Sequence, residues 1–236
     1  MVFSPPKGNG AKRGEPAGRS QVARAHREIR RGILEGRYEP GAPLSELSLA
    51  RQHSTSRTPV REALSRLLQE GYVEHVAGRG FFAARITLQG IQETFDVRRL
   101  LEGVAAERAA KLATPDEIAT IRELAAYHYE PGNAQSHRQA MTTNVQFHLA
   151  VAAAGRNTLV VELIHRCLTQ TNRFLSLGLD LHRFQDGASR EHQGIAHAIE
   201  QRDAAGARAR VERHLDRSSK LVMEALLRGE IRGVAI

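Results

Sequence analysis

Residues 56–86, SRTPVREALSRLLQEGYVEHVAGRGFFAARI, leave this chain little choice of fold. Residues four apart share a helix face, so Arg57, Arg61 and Ser65 form a polar stripe while Val60, Leu64, Leu67 and Leu68 form an apolar one. Pro59 suits a first-turn position, Thr58 or Ser56 can cap the start, and Gly71 stops the helix. Two short β-prone runs then flank AGRG, whose glycines permit the positive φ of a tight hairpin. Upstream, Val22, Ala25, Ile29 and Ile33 recur at helical spacing over Gln21 to Glu35, with Gly36 placed to end that helix. Leu44, Leu47 and Leu49 pack a second, short helix around Ser45 to Gln52. The order helix, helix, turn, helix, hairpin is that of a winged helix-turn-helix.

In such a unit the start of the recognition helix enters the major groove. There the guanidinium groups of Arg57 and Arg61 can grip guanine O6 and N7 or clamp a phosphate, with Ser56 and Thr58 adding short hydrogen bonds. The plainer reading of the two arginines is a solvated charged face, but the tri-helical setting and the Gly-Arg-Gly wing favour DNA. The charge agrees. Of the 34 Lys and Arg, 15 fall between Met1 and Arg85 against 8 Asp and Glu, while the remainder of the chain is nearly neutral. A net charge of +8 favours a polyanionic partner. The first 19 residues, rich in Pro, Gly and basic side chains, read as a disordered basic tail without the apolar stretch of a signal peptide. No apolar run reaches the length of a membrane span, so the expectation is a cytoplasmic protein. The single cysteine, Cys167, forms no internal disulfide and sits among Leu163, Ile164 and Leu168 as an inert, buried thiol.

The run PGAPLSELSLARQHSTSRTPVREALSRLLQEGYVEHVAGRGFFAA resembles the DNA-binding domain of GntR-type bacterial transcriptional regulators, and SRTPVREAL is among that family's most specific strings. The resemblance covers residues 20–86 and implies that Ser56, Arg57, Thr58, Arg61 and the wing residue Gly78 approach double-stranded operator DNA. Many relatives carry an arginine where this chain has Leu47.

From residue 87 to about 230 the sequence reads as helices: Leu88 to Lys111, Pro115 to His128, Ser136 to Ala154, Thr158 to Leu179, Ser189 to Glu200 and Ala204 to Leu227. Thr114-Pro115-Asp116-Glu117 supplies a cap, a first-turn proline and a capping-box glutamate in order. The chain is thus mainly α, a winged helix-turn-helix followed by an all-helical antiparallel bundle.

Inside that bundle the helical period points Asn144 and His148 inward one turn apart, with Met141, Val145, Leu149 and Ala152. His192 falls in line with Ala188, Ile195 and Ile199, and His214 with Val211, Leu215, Ser218 and Val222. His165 and His197 fall off their helices' apolar stripes. Neutral imidazoles on three helices suit zinc, nickel or another late divalent ion, with an amide oxygen completing the set. Periodicity by itself leaves this open against ordinary hydrogen-bonded core histidines.

The rear module is similar to the all-helical ligand-binding domain, often called FCD, of the FadR branch of GntR regulators. Matched to NVQFH, EHQGI and RHL, the metal ligands implied by the resemblance are Asn144, His148, His192 and His214; an aspartate is common at the first position, and the neutral Asn144 is a weaker ligand. It also implies a small carboxylate effector anchored on a divalent metal, zinc or nickel. In VRRLLEG either Arg98, our choice, or Arg99 faces the effector, with an ion pair from Arg98 to Glu102 as the alternative. The chain therefore reads as a ligand-responsive regulator acting as a homodimer on a near-palindromic operator. Two other classes stay open at this point: a metal-dependent hydrolase fused to a DNA-binding module, disfavoured by the lack of an HExxH pattern or an evident general base, and an architectural DNA-binding protein whose histidines merely pack.

Overall fold

A computed structural model describes residues 17–127, 130, 133–176, 181–228 and 234–235. The front unit is built from α1 (Ala17–Leu34), α2 (Glu46–Gln52), α3 (Arg57–Gln69) and the hairpin of β1 (Val73–Val76) and β2 (Gly80–Ala83). β1 and β2 pair antiparallel with Val73 opposite Ala83 and Val76 opposite Gly80, and both turn glycines, Gly78 and Gly80, have positive φ. The four α1 residues picked out by period, Val22, Ala25, Ile29 and Ile33, are all buried. They share one core with Leu44, Leu49, Val60, Ala63, Leu64, Leu67, Tyr72 and Val73.

Several local expectations are corrected here. Leu47 and Leu68 do not pack but are 51% and 39% exposed. α2 packs on α3 and α3 on α1, and these two leucines lie beyond the edges of the buried arcs that those contacts define. Thr58 lies inside α3, so the cap position belongs to Ser56, whose side chain makes no capping bond. α1 starts at Ala17, ahead of Gln21, so residues 17–19 of the expected tail are helical. Residues 1–16 lie outside the described residues.

The rear unit opens with β3 (Ile86–Thr87), which pairs in parallel with β4 (Val234–Ala235), a contact too short for any sequence period to announce. Six helices follow: α4 (Leu88–Leu112), α5 (Pro115–Ala125), α6 (Ala134–Ala154), α7 (Thr158–Ser176), α8 (Leu181–Glu200) and α9 (Ala204–Leu227). α4 is the axial helix, packed against α6, α7, α8 and α9. Thr114 and Glu117 form the expected capping box at α5, and Asp203 caps α9. The main core gathers Phe95, Ile121, Phe147, Phe174, Ile195, Val211 and Val222, and a smaller cluster around Ile164 and Leu168 fastens α7.

α5 stops at Ala125, short of the expected His128, and α7 at Ser176, short of Leu179; both expected ends lie outside the described residues. α8 begins at Leu181, eight residues before the expected Ser189. At Gly187, one of its two glycines, the Arg217 guanidinium of α9 packs where a Cβ would stand, with Nη1 1.8 Å from it. Among the described residues no helix is long and apolar enough to cross a membrane.

Candidate metal centre and DNA-reading face

α6, α8 and α9 each contribute one histidine to the bundle interior. His148, His192 and His214 are 3%, 6% and 2% exposed, and one nitrogen from each lies within 4.8 Å of the other two. Nε2 of His192 stands 3.3 Å from Nε2 of His214. With metal–nitrogen bonds of about 2.0–2.1 Å, two ligands of a tetrahedral zinc stand roughly 3.3 Å apart, so this pair needs little adjustment to share an ion.

Two carboxylates fix the ring orientations. Glu102 Oε2 on α4 lies 2.6 Å from Nδ1 of His148, and Glu191 Oε2 on α8 lies 2.8 Å from Nδ1 of His214. In each case the network assigns the Nδ1–H to the carboxylate and leaves Nε2 unprotonated, the form that can accept from a donor or ligate a cation. Glu191 is held in turn by Arg217 at 3.1 Å, and Phe147 stacks on His192 with centroids 4.1 Å apart. Neither carboxylate was found by periodicity. Glu191 directly precedes His192 yet serves His214, a contact between helices that spacing along the chain does not encode.

The remaining expected residues are close by. Asn144, 6% exposed, lines with Thr143, Ser189 and His192 a cavity of about 10 Å³, room for one water. Arg98 is buried at 2% and forms the ion pair with Glu102, Nε to Oε1 at 2.6 Å, inside the bundle and not on its surface. The same guanidinium also turns Nη2 toward His148 Nε2 at 3.4 Å, so ion pair and site contact coexist. Arg99 instead points outward to Asp96 and Asp216. Cys167 is half-buried, and burial pushes its thiol pKa up. His165 and His197 are exposed.

Burial drives the pKa of His148 down to about 4 against the pull of Glu102, and that of His192 well below its ordinary value. Burial pushes Glu102 up, but Arg98 and His148 overcome this and hold it well below the usual carboxylate range. Near pH 7 the site is therefore two neutral imidazoles beside an ionised carboxylate, the protonation state that ligation requires. The folded state refuses a proton that the unfolded chain accepts at His148. In chelator, stability is thus expected to be level above about pH 6.5 and to fall by at least about 3 kcal/mol as the pH drops toward 4, His192 adding to the loss in the same direction. Urea unfolding across that window measures it, and a flat profile would contradict the neutral, buried assignment of His148.

The second site is on the front unit. Arg57 and Arg61 lie at the start of α3 with side chains 62% and 63% exposed, and Ser56 and Thr58 are exposed beside them. Glu46 of α2 grips both: Oε2 accepts from Arg57 Nη2 at 3.2 Å and Arg61 Nη2 at 3.1 Å, and Oε1 accepts from Arg61 Nε at 2.8 Å. Hydrogen bonds from Arg61 and then Arg57, with the positive charge of both, hold the Glu46 carboxyl below its usual range, burial opposing. Gly78 stands exposed at the wing tip, next to Arg79, whose guanidinium lies over the Phe82 ring.

The FCD domain family matches residues 93–217, and the gntR family of bacterial regulatory proteins matches residues 21–83. The Nta operon transcriptional regulator of Aminobacter aminovorans is 28% identical over 198 residues, covering 80% of this chain and 90% of its own. The Uxu operon transcriptional regulator of Escherichia coli (strain K12) is 28% identical over 219 residues, covering 83% and 84%. Among solved structures, a GntR transcriptional regulator from Rhodococcus sp. RHA1 superposes with a TM-score of 0.69 at 23% identity, covering 87% of this chain and 99% of that one. At that identity the likeness establishes the fold.

Proposed function

The chain belongs to the gntR family of bacterial regulatory proteins with an FCD domain, and is a transcriptional regulator and not an enzyme; from this premise we propose that it binds operator DNA as a homodimer and answers to a small carboxylate at a metal site. Residues 20–86 carry the DNA-binding role, through Ser56, Arg57, Thr58, Arg61 and Gly78. Residues 87–230 carry the metal and effector role. His148, His192 and His214, with Asn144, hold the ion; zinc fits the nitrogen-rich set and the 3.3 Å Nε2 pair, with nickel the other candidate. When bound, a divalent ion supplies a Lewis-acid anchor for a carboxylate, and Arg98 supplies a second cationic contact beside His148. The observation that carries this reading is the pair of carboxylates, Glu102 and Glu191, that brace two of the three imidazoles. A carboxylate on Nδ1 is the partner that orients a metal-ligating imidazole and raises its basicity. Acting on operator DNA places the protein in the cytoplasm.

The homodimer reading rests on α4 and α7. Val97, Leu100 and Val104 recur on one face of α4 with exposures of 41%, 68% and 42%, and Leu159 and Leu163 of the adjacent α7 are 62% and 38% exposed. Two copies facing one another would cover this strip and present two recognition helices to two half-sites.

Metal content, measured by mass spectrometry on protein purified without chelator, is expected at one zinc or nickel per chain. Should the protein hold no stoichiometric divalent metal and take up neither, the metal reading fails while the regulator assignment stands. Leu100→Glu places a charge in the proposed dimer face. Sedimentation is expected to show a monomer, with operator affinity down by at least about 10-fold because one half-site is lost. A dimeric Leu100→Glu variant would exclude that face.

A further inference from the structure

The metal site and the DNA-binding unit touch opposite sides of one turn of α7. On one side Thr171, 1% exposed, accepts at 3.3 Å from Nη1 of Arg98, the residue whose Nη2 faces His148. On the other, the Gln170 amide donates to the Gly71 carbonyl at 2.8 Å, and Arg173 donates to the same carbonyl at 3.4 Å and to the Ala84 carbonyl. Gly71 follows the recognition helix α3, and Ala84 follows the second strand of the wing. Residues 170, 171 and 173 thus join the guanidinium beside the histidines to the ends of both DNA-reading elements.

Two features set this seam apart from ordinary packing. Arg173 is a cation buried to 1% exposure, and among the described residues no carboxylate pairs with it. It holds backbone carbonyls and Gln170 Oε1, while its own Nε has no partner. Such a charge is costly and tolerates few alternative surroundings, so the seam has a sharply defined geometry to hold or to lose. Gly71 has φ +79°, a backbone conformation that favours glycine, and the Gln170 amide packs where a Cβ would stand, 2.5 Å from it. Beside the seam runs a solvent-open groove of about 350 Å³ lined by Cys167, Gln170, Phe174, Thr94, Val97 and Arg85.

We propose that α7 couples the two sites: a change at Arg98 displaces Thr171, and the Gln170–Arg173 seam passes that displacement to the ends of the recognition helix and the wing. The inference deepens the regulatory reading above, and its zinc arm alone rests on the metal assignment.

Hydrogen exchange of residues 66–85 in the full chain tests it through a double-mutant cycle. Arg98→Met and Arg173→Met each remove a buried cation while keeping an unbranched apolar stem; Thr171→Val, nearly isosteric, replaces Arg98→Met if that variant does not fold. Perturbing the Arg98–Thr171 contact is expected to alter exchange in residues 66–85 by at least about threefold when Arg173 is present and to leave it unaltered in Arg173→Met. Equal changes in both backgrounds, or none in either, would overturn the coupling. In the second arm, zinc alone is titrated into the wild type and Arg173→Met, with calorimetry alongside. Binding is expected to agree within about twofold in the two proteins, with the exchange response of residues 66–85 present in the wild type and lost in the variant. A response that survives Arg173→Met refutes the route through α7. Failure of zinc to bind at all refutes the metal site, and the mutant cycle then decides the coupling on its own.

Discussion

His192→Ala is expected to weaken zinc binding by more than about 100-fold. Disturbing a residue that merely orients a ligand costs about 10–100-fold, and His192 is assigned as a ligand itself, with Nε2 3.3 Å from that of His214. Because burial keeps the ring neutral, its removal strands no charge. The loss should appear in the metal titration while DNA binding without effector persists, since the front unit has its own core. Asn144→Asp should move the other way, adding an anionic oxygen where the wild type has an amide. Calorimetry with zinc reads both. Unchanged affinity in a folded His192→Ala protein would remove His192 from the ligand set.

Arg57→Ala and Arg61→Ala are each expected to lower operator affinity by about 1–3 kcal/mol, roughly 5- to 150-fold, and to relax preference at one base pair. Both guanidinium groups converge on Glu46, so they are held side by side before DNA arrives. The combined variant should therefore depart from additivity. Anisotropy titrations on a duplex selected from a random pool by the wild-type protein, at fixed salt, measure the effect. Retention of full affinity by either folded single variant would reassign that arginine to a solvated face.

Much of this molecule was legible along the chain because its signals are local. A 3.6-residue period reports which side of a helix is apolar, and it identified Val22, Ala25, Ile29 and Ile33 in α1 and the inward His148, His192 and His214, all buried in the fold. Caps act within four residues, so Thr114 and Glu117 could be read as a pair. Glycines at 78 and 80 announced the wing in the same way. The same locality explains the errors at Leu47 and Leu68, where a period continues past the edge of the buried arc.

Contacts between elements carry no such period, and they decide the chemistry. The sequence by itself determined that three histidines face the bundle interior and that two arginines share the polar face at the start of a helix. Only the tertiary structure decided that their nitrogens converge within 4.8 Å, that Glu102 and Glu191 orient two of the rings, and that Glu46 binds both arginines from another helix. It likewise placed the Arg98–Glu102 ion pair inside the bundle, beside His148, and seated Arg173 against Gly71 and Ala84. The physical reason is that a helix fixes the direction of each side chain through its own hydrogen bonds. Which groups meet is set instead by how helices far apart in the chain are rotated and stacked by their shared core.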